Sequence, residues 1–336
     1  MDKVAVVILN YNTAQLLEQL LPALEASTYA HAEFIVADNG SSDTSEAVVA
    51  KFSKTRWLPL DQNYGYAEGY NRALEGLDCK YAVLLNSDVE VTPGWIEPLV
   101  DFAKKNPEYV ALQPKIKSFH QKGHFEYAGA AGGFMDTLGY PFCRGRIFDE
   151  LEEDKGQYNE PIDIFWASGA ALFIELKAYQ EAGGLDGKLF AHMEEIDLCW
   201  RLQLMGKKIA CVPQSEVYHI GGGTLSAQNA KKTFLNFRNS LVLLARYNTG
   251  FTAVCKVLLR MVMDFPAALL FLSKGKIKDV WAIVKAHWHF LFRLSYWLKK
   301  KPFNNVNAKP DGLISGSIVW LHYAKGIKKF SSLKKF

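Results

Sequence analysis

The chain has 336 residues, 49% hydrophobic and 22% charged, a composition that can build a full core in one large domain with an appendage, or in two domains. Its five cysteines are scattered, odd in number and free of any CxxC pair, which argues against a disulfide framework or zinc cluster and fits a reducing cytosol. The net charge of +4 conceals an asymmetry: from Phe251 onward Lys and Arg outnumber Asp and Glu by 16 to 3, leaving −9 on the first 250 residues. A basic tail on an acidic body is a cue for an anionic partner, nucleic acid or a membrane surface.

Met1-Asp2-Lys3 leads directly into Val4–Leu9, an apolar run too short for a signal peptide and β-branched as in a strand buried on both faces. Asn10-Tyr11-Asn12-Thr13 interrupts it, and Thr13 is placed to cap a helix carrying Leu16, Leu17, Leu20, Leu21 and Leu24. A second strand, Glu33–Ala37, closes on Asp38-Asn39-Gly40-Ser41-Ser42-Asp43, where Ser42 or Asp43 can cap the next helix. Thr55–Leu60 reads as a strand, Asn63–Gly69 as a Gly-rich turn and Tyr70–Leu77 as a helix. Tyr81–Leu85 is a short apolar strand running into Asn86-Ser87-Asp88, which by itself is most often an Asx turn. The alternation predicts an α/β fold around a mainly parallel central sheet. Strand ends of such a sheet share one edge, so the clusters at 10–12, 38–43 and 86–88 can converge on a ligand there. No GxGxxG follows the first strand and no GxxxxGK[ST] occurs, which disfavours a dinucleotide site and a P-loop.

Taken in order, Val6–Asn12, Val36–Asp43, Asn63-Tyr64-Gly65 with Asn71, and Asn86-Ser87-Asp88 resemble family 2 glycosyltransferases of the GT-A fold, in their rhamnosyltransferase-like branch. The resemblance spans about Val4 to Tyr247. It implies a nucleotide-sugar donor held at the strand ends by Asn10, Tyr11, Asn12, Asp38, Asn63, Gly65, Asn71, Ser87 and Asp88. Asp38 would meet the base or ribose, Asn63 and Asn71 would line the nucleotide pocket, and Asp88 would be a metal–diphosphate ligand. The wider family writes Asp-x-Asp where this chain has Asn86, so Asp88 carries more of the cation's coordination.

Pro93-Gly94-Trp95 opens a helix to about Lys105, with Pro93 in its first turn, and Val110–Ile116 is a strand. The stretch 118–158, Gly-rich and then acidic, reads as long loops over the sheet that shape an acceptor site, with His120 and His124 as solvated loop histidines. Asp163–Glu175 reads as strand, bend, strand. In the bend, Trp166, Ser168 and Gly169 suit a sugar ring on an indole face, or equally a core Trp beside a tight turn. The resemblance matches this segment to the acceptor side.

Glu194, Glu195 and Asp197 at a helix start complement the helix dipole, and clustered carboxylates also raise one another's pKa, as a general base requires. The resemblance places the base at Glu195, where the family usually has Asp, with Glu194 and Asp197 as alternates. Arg201 can pair with Asp197 one turn on. His219 at a strand end reads alone as a structural hydrogen-bonder. The resemblance makes it, with Asp88, the protein ligand of a Mg²⁺ or Mn²⁺ ion. Gly221-Gly222-Gly223-Thr224 would offer mobile backbone N–H groups to a phosphate.

Val257–Leu272 is apolar but interrupted by Arg260, Asp264 and Pro266, too short and too charged for a membrane span. Ile277–Leu298 interleaves aromatic residues such as Trp281, Trp288 and Trp297 with flanking lysines (Lys274, Lys276, Lys278 and Lys299-Lys300-Lys301). Helices in a membrane interface have this composition, as does an ordinary helical cap with a basic face. Nucleic acid fits less well, because no binding motif accompanies the aromatics. The expected organisation is a GT-A domain over 1–250 and basic, aromatic-rich, membrane-associating amphipathic helices over 251–336. The expected function is inverting transfer of a sugar, from dTDP-rhamnose or a UDP-sugar, to a hydroxyl of a saccharide or lipid-linked glycan in cell-surface polysaccharide assembly. The expected place is the cytoplasmic face of the cell membrane, without a nucleic-acid partner. A nucleotidyltransferase, or a membrane-docked sugar-binding or scaffold protein with a degenerate site, are the competing readings.

Overall fold

The computed structural model describes residues 2–221, 230–299 and 309–333, so Gly222, Gly223, Thr224, Lys300 and Lys301 lie outside the described residues. The first half alternates β1 (Val4–Asn10), α1 (Ala14–Glu25), β2 (Ala32–Asp38), α2 (Ser45–Val49), β3 (Thr55–Pro59), α3 (Gly65–Leu74) and β4 (Tyr81–Asn86). A short strand β5 (Val89–Val91), helix α4 (Ile96–Lys105) and the long strand β6 (Tyr109–Ser118) follow. β1 pairs in parallel with β2 and β4, and β2 with β3. Apolar residues fill β1 continuously because helices cover both of its faces: Val4, Val6 and Ile8 pack on one side of the sheet, Ala5 and Val7 on the other. The register sets Asn10 opposite Asp38 and Leu9 opposite Asn86, bringing the polar strand ends to one edge.

The second half supplies β7 (Gly133–Asp136), β8 (Pro141–Cys143), β9 (Arg146–Ile147), β10 (Glu150–Leu151), β11 (Ile162–Asp163), β12 (Ala171–Glu175), α5 (Leu176–Glu181), α6 (Glu194–Leu204) and β13 (Lys208–His219). β12 inserts antiparallel between β4 and β6, and β13 runs parallel to β6. The described strands order as β11-β13-β6-β12-β4-β1-β2-β3, with β5 paired to β13. Val89 thereby faces His219 across the β5–β13 ladder, which sets Asp88 beside that histidine.

Past β13 come α7 (Ala230–Tyr247), α8 (Gly250–Met263), α9 (Phe265–Ser273), α10 (Ile277–Phe292), α11 (Leu294–Leu298), β14 (Leu313–Ile314) and α12 (Ile318–Tyr323). The stretch 118–158 differs from the expected loops: β7 to β10 form a second sheet, which β14 extends by pairing in parallel with β7. Strands of two to four residues are too short to show a period-2 pattern, which is why they read as loop. The composition change near residue 250 is not a break in packing, because Phe330 lies 4.8 Å from Phe134 and Ile318 N–H donates to Asp136 at 2.9 Å. Among the described residues no helix is long and apolar enough to cross a membrane.

Two caps also differ. Thr13 makes no capping bond to α1, whose first N–H (Ala14) donates instead to Asp43 at 2.9 Å. Pro93 precedes α4 in a turn, and its carbonyl accepts from Thr28 N–H at 2.8 Å.

Candidate active site

The strand-end cradle is held from within. Asn10, fully buried, donates from Nδ2 to Asp38 Oδ1 at 2.8 Å and to Ser41 Oγ at 3.0 Å, while Asp38 Oδ2 accepts from Ser41 N–H at 2.9 Å. Asp38 thus ties β1 to the loop after β2. Tyr11 and Asn12 sit exposed at the rim, with Asn12 at a φ of 54°. Asn63 accepts from Gly65 N–H at 2.9 Å and from Asn39 Nδ2 at 3.2 Å. Asn39, absent from the sequence-based set, holds this turn and donates to the Gly65 carbonyl at 3.1 Å. Asn71 does not turn toward the cradle. Its Oδ1 accepts from Leu185 N–H and Tyr179 O–H at 2.9 and 2.6 Å, and its Nδ2 donates to the Leu185 carbonyl at 2.9 Å. That correction makes Asn71 a clamp on the segment leading to α6.

Ser87 and Asp88 are buried at the corner after β4. Asp88 Oδ1 lies 3.1 Å from His219 Nε2, and His219 Nδ1 lies 3.0 Å from Glu126 Oε2. Burial alone would lower the imidazole pKa, but the bond to Asp88 and the nearby Glu126 carboxylate outweigh it and raise it to about 10. Two ligands about 2.1 Å from a small divalent cation, at right angles, sit about 3 Å apart, and the Asp88–His219 spacing matches. A ligating histidine typically gives its other ring N–H to a carboxylate, and Glu126 lies within ion-pair distance of Nδ1 although the two are not aligned for a hydrogen bond. As they stand, Asp88 and His219 are hydrogen-bonded to each other, so His219 would have to give up its proton before joining Asp88 on a divalent cation.

Glu194 and Glu195 open α6. Glu194 is buried and Glu195 partly so, and Oε2 of each has no hydrogen-bond partner among the described residues. Burial pushes Glu195 up to about 7 against the opposing pull of backbone N–H groups at the helix start. Burial, then the neighbouring Glu195 charge, holds Glu194 well above the usual carboxylate range. Asp197 differs from both. Its carboxylate accepts from Arg201 Nε at 2.9 Å, Tyr247 O–H at 2.8 Å and Arg246 Nη1 at 3.3 Å, and Arg246 also pairs with Asp186 at 2.8 Å. With its oxygens so engaged, Asp197 anchors α6 rather than serving as an alternate base.

The segment 166–169 joins the two halves. Trp166 is only 5% exposed, donates from its indole N–H to the Phe134 carbonyl at 2.9 Å and packs on Gly133. It is a core residue and offers no open face to a sugar, contrary to the acceptor role expected from its neighbours. Ser168 Oγ donates to the Ala128 carbonyl, two residues past Glu126, and the Gly169 carbonyl accepts from Tyr66 O–H at 2.7 Å. Burial raises the Tyr66 phenol well above its ordinary range, with the charges of Tyr70, Glu194 and Glu195 adding to it. The bend is thus tied on one side to the segment just past Glu126 and on the other to Tyr66 of α3. A Cβ on Gly169 would sit 2.5 Å from the Tyr66 hydroxyl. Gly169→Ala should displace Tyr66 and cost about 1–3 kcal/mol, read as a shift in the denaturation midpoint; an unchanged midpoint would show that the bend is free to move.

The profile of the family described as "Glycosyl transferase family 2" matches residues 5–172, half of the chain, covering the cradle, Asp88 and the 166–169 bend. The chain belongs to glycosyl transferase family 2. It is 28% identical over 265 residues, 74% of this chain and 86% of the relative, to the N-acetylglucosaminyl-diphospho-decaprenol L-rhamnosyltransferase of Mycobacterium tuberculosis. It is 22% identical to the low-salt glycan biosynthesis hexosyltransferase Agl10 of Haloferax volcanii, over 71% of this chain and 74% of that one. Among solved structures, the mannosyltransferase PcManGT of Pyrobaculum calidifontis with GDP-Man and Mn²⁺ superposes with a TM-score of 0.54 at 13% identity, covering 87% of both chains. GalNAc-T7 with UDP, GalNAc and Mn²⁺ gives 0.56 at 16% identity, over 73% of this chain and 48% of that one. These likenesses show the GT-A fold.

In this family 2 glycosyltransferase several site residues carry no local signal. Glu126 acts through a histidine 93 positions away, which only the strand register brings near. Burial lowers the pKa of Lys232, near the start of α7, against the opposing pull of the Glu126 and Asp88 charges, and burial with a smaller push from Lys232 lowers that of His192. Asn239 donates to the carbonyls of Leu189, Ala191 and His192 at 3.2, 3.1 and 2.7 Å. Those bonds hold a loop in which Phe190, His192 and Met193 all have positive φ, at 70°, 64° and 73°. Such backbone persists only where its surroundings hold it, and it sets the entry to α6 and its acids. The polar run Arg238-Asn239-Ser240 inside an apolar helix was the available hint.

Proposed function

We propose that the protein is an inverting glycosyltransferase that moves a sugar from a nucleoside-diphosphate sugar, dTDP-rhamnose or a UDP-sugar, to a hydroxyl of a lipid-linked glycan. The reading is supported by the two acids that open α6, Glu194 and Glu195, whose Oε2 atoms are buried without a hydrogen-bond partner among the described residues, together with Asp88 and His219, which meet at 3.1 Å. Glu195 accepts the proton of the acceptor hydroxyl as its oxygen forms the bond to the anomeric carbon, and the bond from that carbon to the diphosphate breaks. Asp88 and His219 would hold a Mg²⁺ or Mn²⁺ ion, which supplies Lewis-acid stabilisation to the leaving diphosphate. Among the described residues no three acid, His or Cys side chains form a metal site by themselves, so oxygens of the donor and of water would have to supply the rest of such an ion's ligands. The printed specificity of the mycobacterial relative supports a lipid-linked acceptor, and the basic C-terminal helices suit a membrane surface at its cytoplasmic face.

The test is release of nucleoside diphosphate from UDP-, dTDP- and GDP-sugars, with Mn²⁺ or Mg²⁺ and with EDTA, in the presence of a polyprenyl-linked N-acetylglucosamine. Turnover of one donor, abolished by EDTA, is expected. Donor binding without turnover of any of them would instead favour a sugar-binding protein. Glu126→Gln should weaken Mn²⁺ binding, measured by paramagnetic resonance with nucleoside diphosphate present, by about 10–100-fold. Unchanged Mn²⁺ affinity would remove Glu126 from the metal's support.

A further inference from the structure

We propose that the outward faces of α8 and α9 form a wedge that sinks into the near leaflet of an anionic lipid bilayer. This deepens the membrane-surface reading above and rests on it, but it assigns the insertion to a segment that the sequence marks as interrupted by charge. From Phe251 to Ser273 the charged residues are Lys256, Arg260 and Asp264. On an ordinary surface helix these would face water and the apolar residues would face the core. Here the arrangement is inverted.

Arg260 and Asp264 are 4% and 1% exposed and pair at 2.8 Å. Arg260 Nη1 donates to the carbonyls of Leu138 and Gly139 at 3.2 and 3.0 Å, and its guanidinium lies 3.6 Å from the Tyr140 ring centroid. Asp264 accepts from Tyr140 O–H at 3.1 Å and lies 3.1 Å from His287 Nε2. Lys256 is hydrogen-bonded to Asn248 at 2.6 Å. The charges thus fasten the helices to the turn between β7 and β8, and the faces left outside are apolar. Phe251 is 82% exposed, Val262 67% and Phe265 63%, while α9 buries none of its residues. So large an uncharged apolar face is rare on a soluble surface and marks a contact.

The charge around it selects the occupant. Between residues 251 and 299 both acids, Asp264 and Asp279, are buried, and every exposed charge is basic: Lys274, Lys276, Lys278, Lys285, Arg293 and Lys299. A second copy would bring a matching basic rim against this one, whereas anionic headgroups neutralise it. Exposed Trp281 and Trp288 on α10 lie in the same basic stretch, as aromatics do at the headgroup level. At 14 and 9 residues α8 and α9 are too short to span and suited to lying in the interface.

The full-length protein would be sedimented with vesicles of phosphatidylglycerol and phosphatidylcholine, and with phosphatidylcholine alone, as wild type and as Leu258→Glu/Leu269→Glu. Both leucines are exposed, so the fold and donor turnover with a water-soluble acceptor should be unchanged. The expected result is wild-type pelleting with the anionic vesicles, weakened by about tenfold or more in the double variant. Wild-type pelleting that the double variant retains would overturn the wedge and leave the membrane reading standing. No wild-type pelleting would remove both. A wild-type dimer without vesicles, dissociated by the double variant, would overturn the proposal in favour of a second copy on that face.

Discussion

Glu195→Gln is expected to lower kcat by about 10²–10⁴-fold with donor affinity retained, because Gln keeps the shape but cannot accept the acceptor's proton. The pH profile gives a second reading of the same residue. Only the ionised carboxylate acts as base, and burial places its pKa at about 7, so kcat should climb through neutral pH and fall away in acid. The same shift has a thermodynamic consequence of opposite sign. A carboxyl with a raised folded pKa binds its proton more tightly in the folded than in the unfolded chain, so stability declines as pH rises from the ordinary glutamate range past neutrality. Glu195→Gln should therefore flatten both the pH–rate curve and the decline in stability between the ordinary glutamate range and neutrality. A variant that keeps wild-type kcat would move the base elsewhere, with Glu194→Gln the next variant to assay.

Arg246→Met is expected to destabilise the protein by about 3–5 kcal/mol, measured by urea unfolding at neutral pH. Arg246 is 4% exposed and serves two buried carboxylates, Asp186 at 2.8 Å and Asp197 at 3.3 Å, besides the Trp297 carbonyl at 3.1 Å. Its loss strips a buried cation from both acids, whereas an exposed pair such as Lys51–Glu18 at 2.7 Å contributes no more than about 1 kcal/mol. The network also links α11, through Trp297, to α6, through Asp197, so Arg246→Met should lower kcat as well. Replacing Lys51 with Met is the internal control and should change neither quantity. A shift for Arg246→Met as small as the control's would show that α6 is anchored by packing alone.

The sequence by itself determined the layered α/β architecture, because the strand–helix alternation and the continuous apolar runs of β1 and β4 depend only on neighbours along the chain. It also determined that polar strand ends share an edge, that Asp88 stands at one of them and that acids open α6. Those are local signals, and the family's motifs repeat them in order. Tertiary structure decided which way each side chain points. Trp166 beside small residues reads alike as platform or core until Gly133 is brought under its ring. Asn71 reads as a pocket residue until Leu185, 114 positions later, takes both ends of its amide. Arg260 and Asp264 read as charged interruptions of an apolar stretch until the β7–β8 turn receives them. Burial of a polar group depends on finding its partner, and those partners are set by strand register and helix docking across distances that no local pattern encodes.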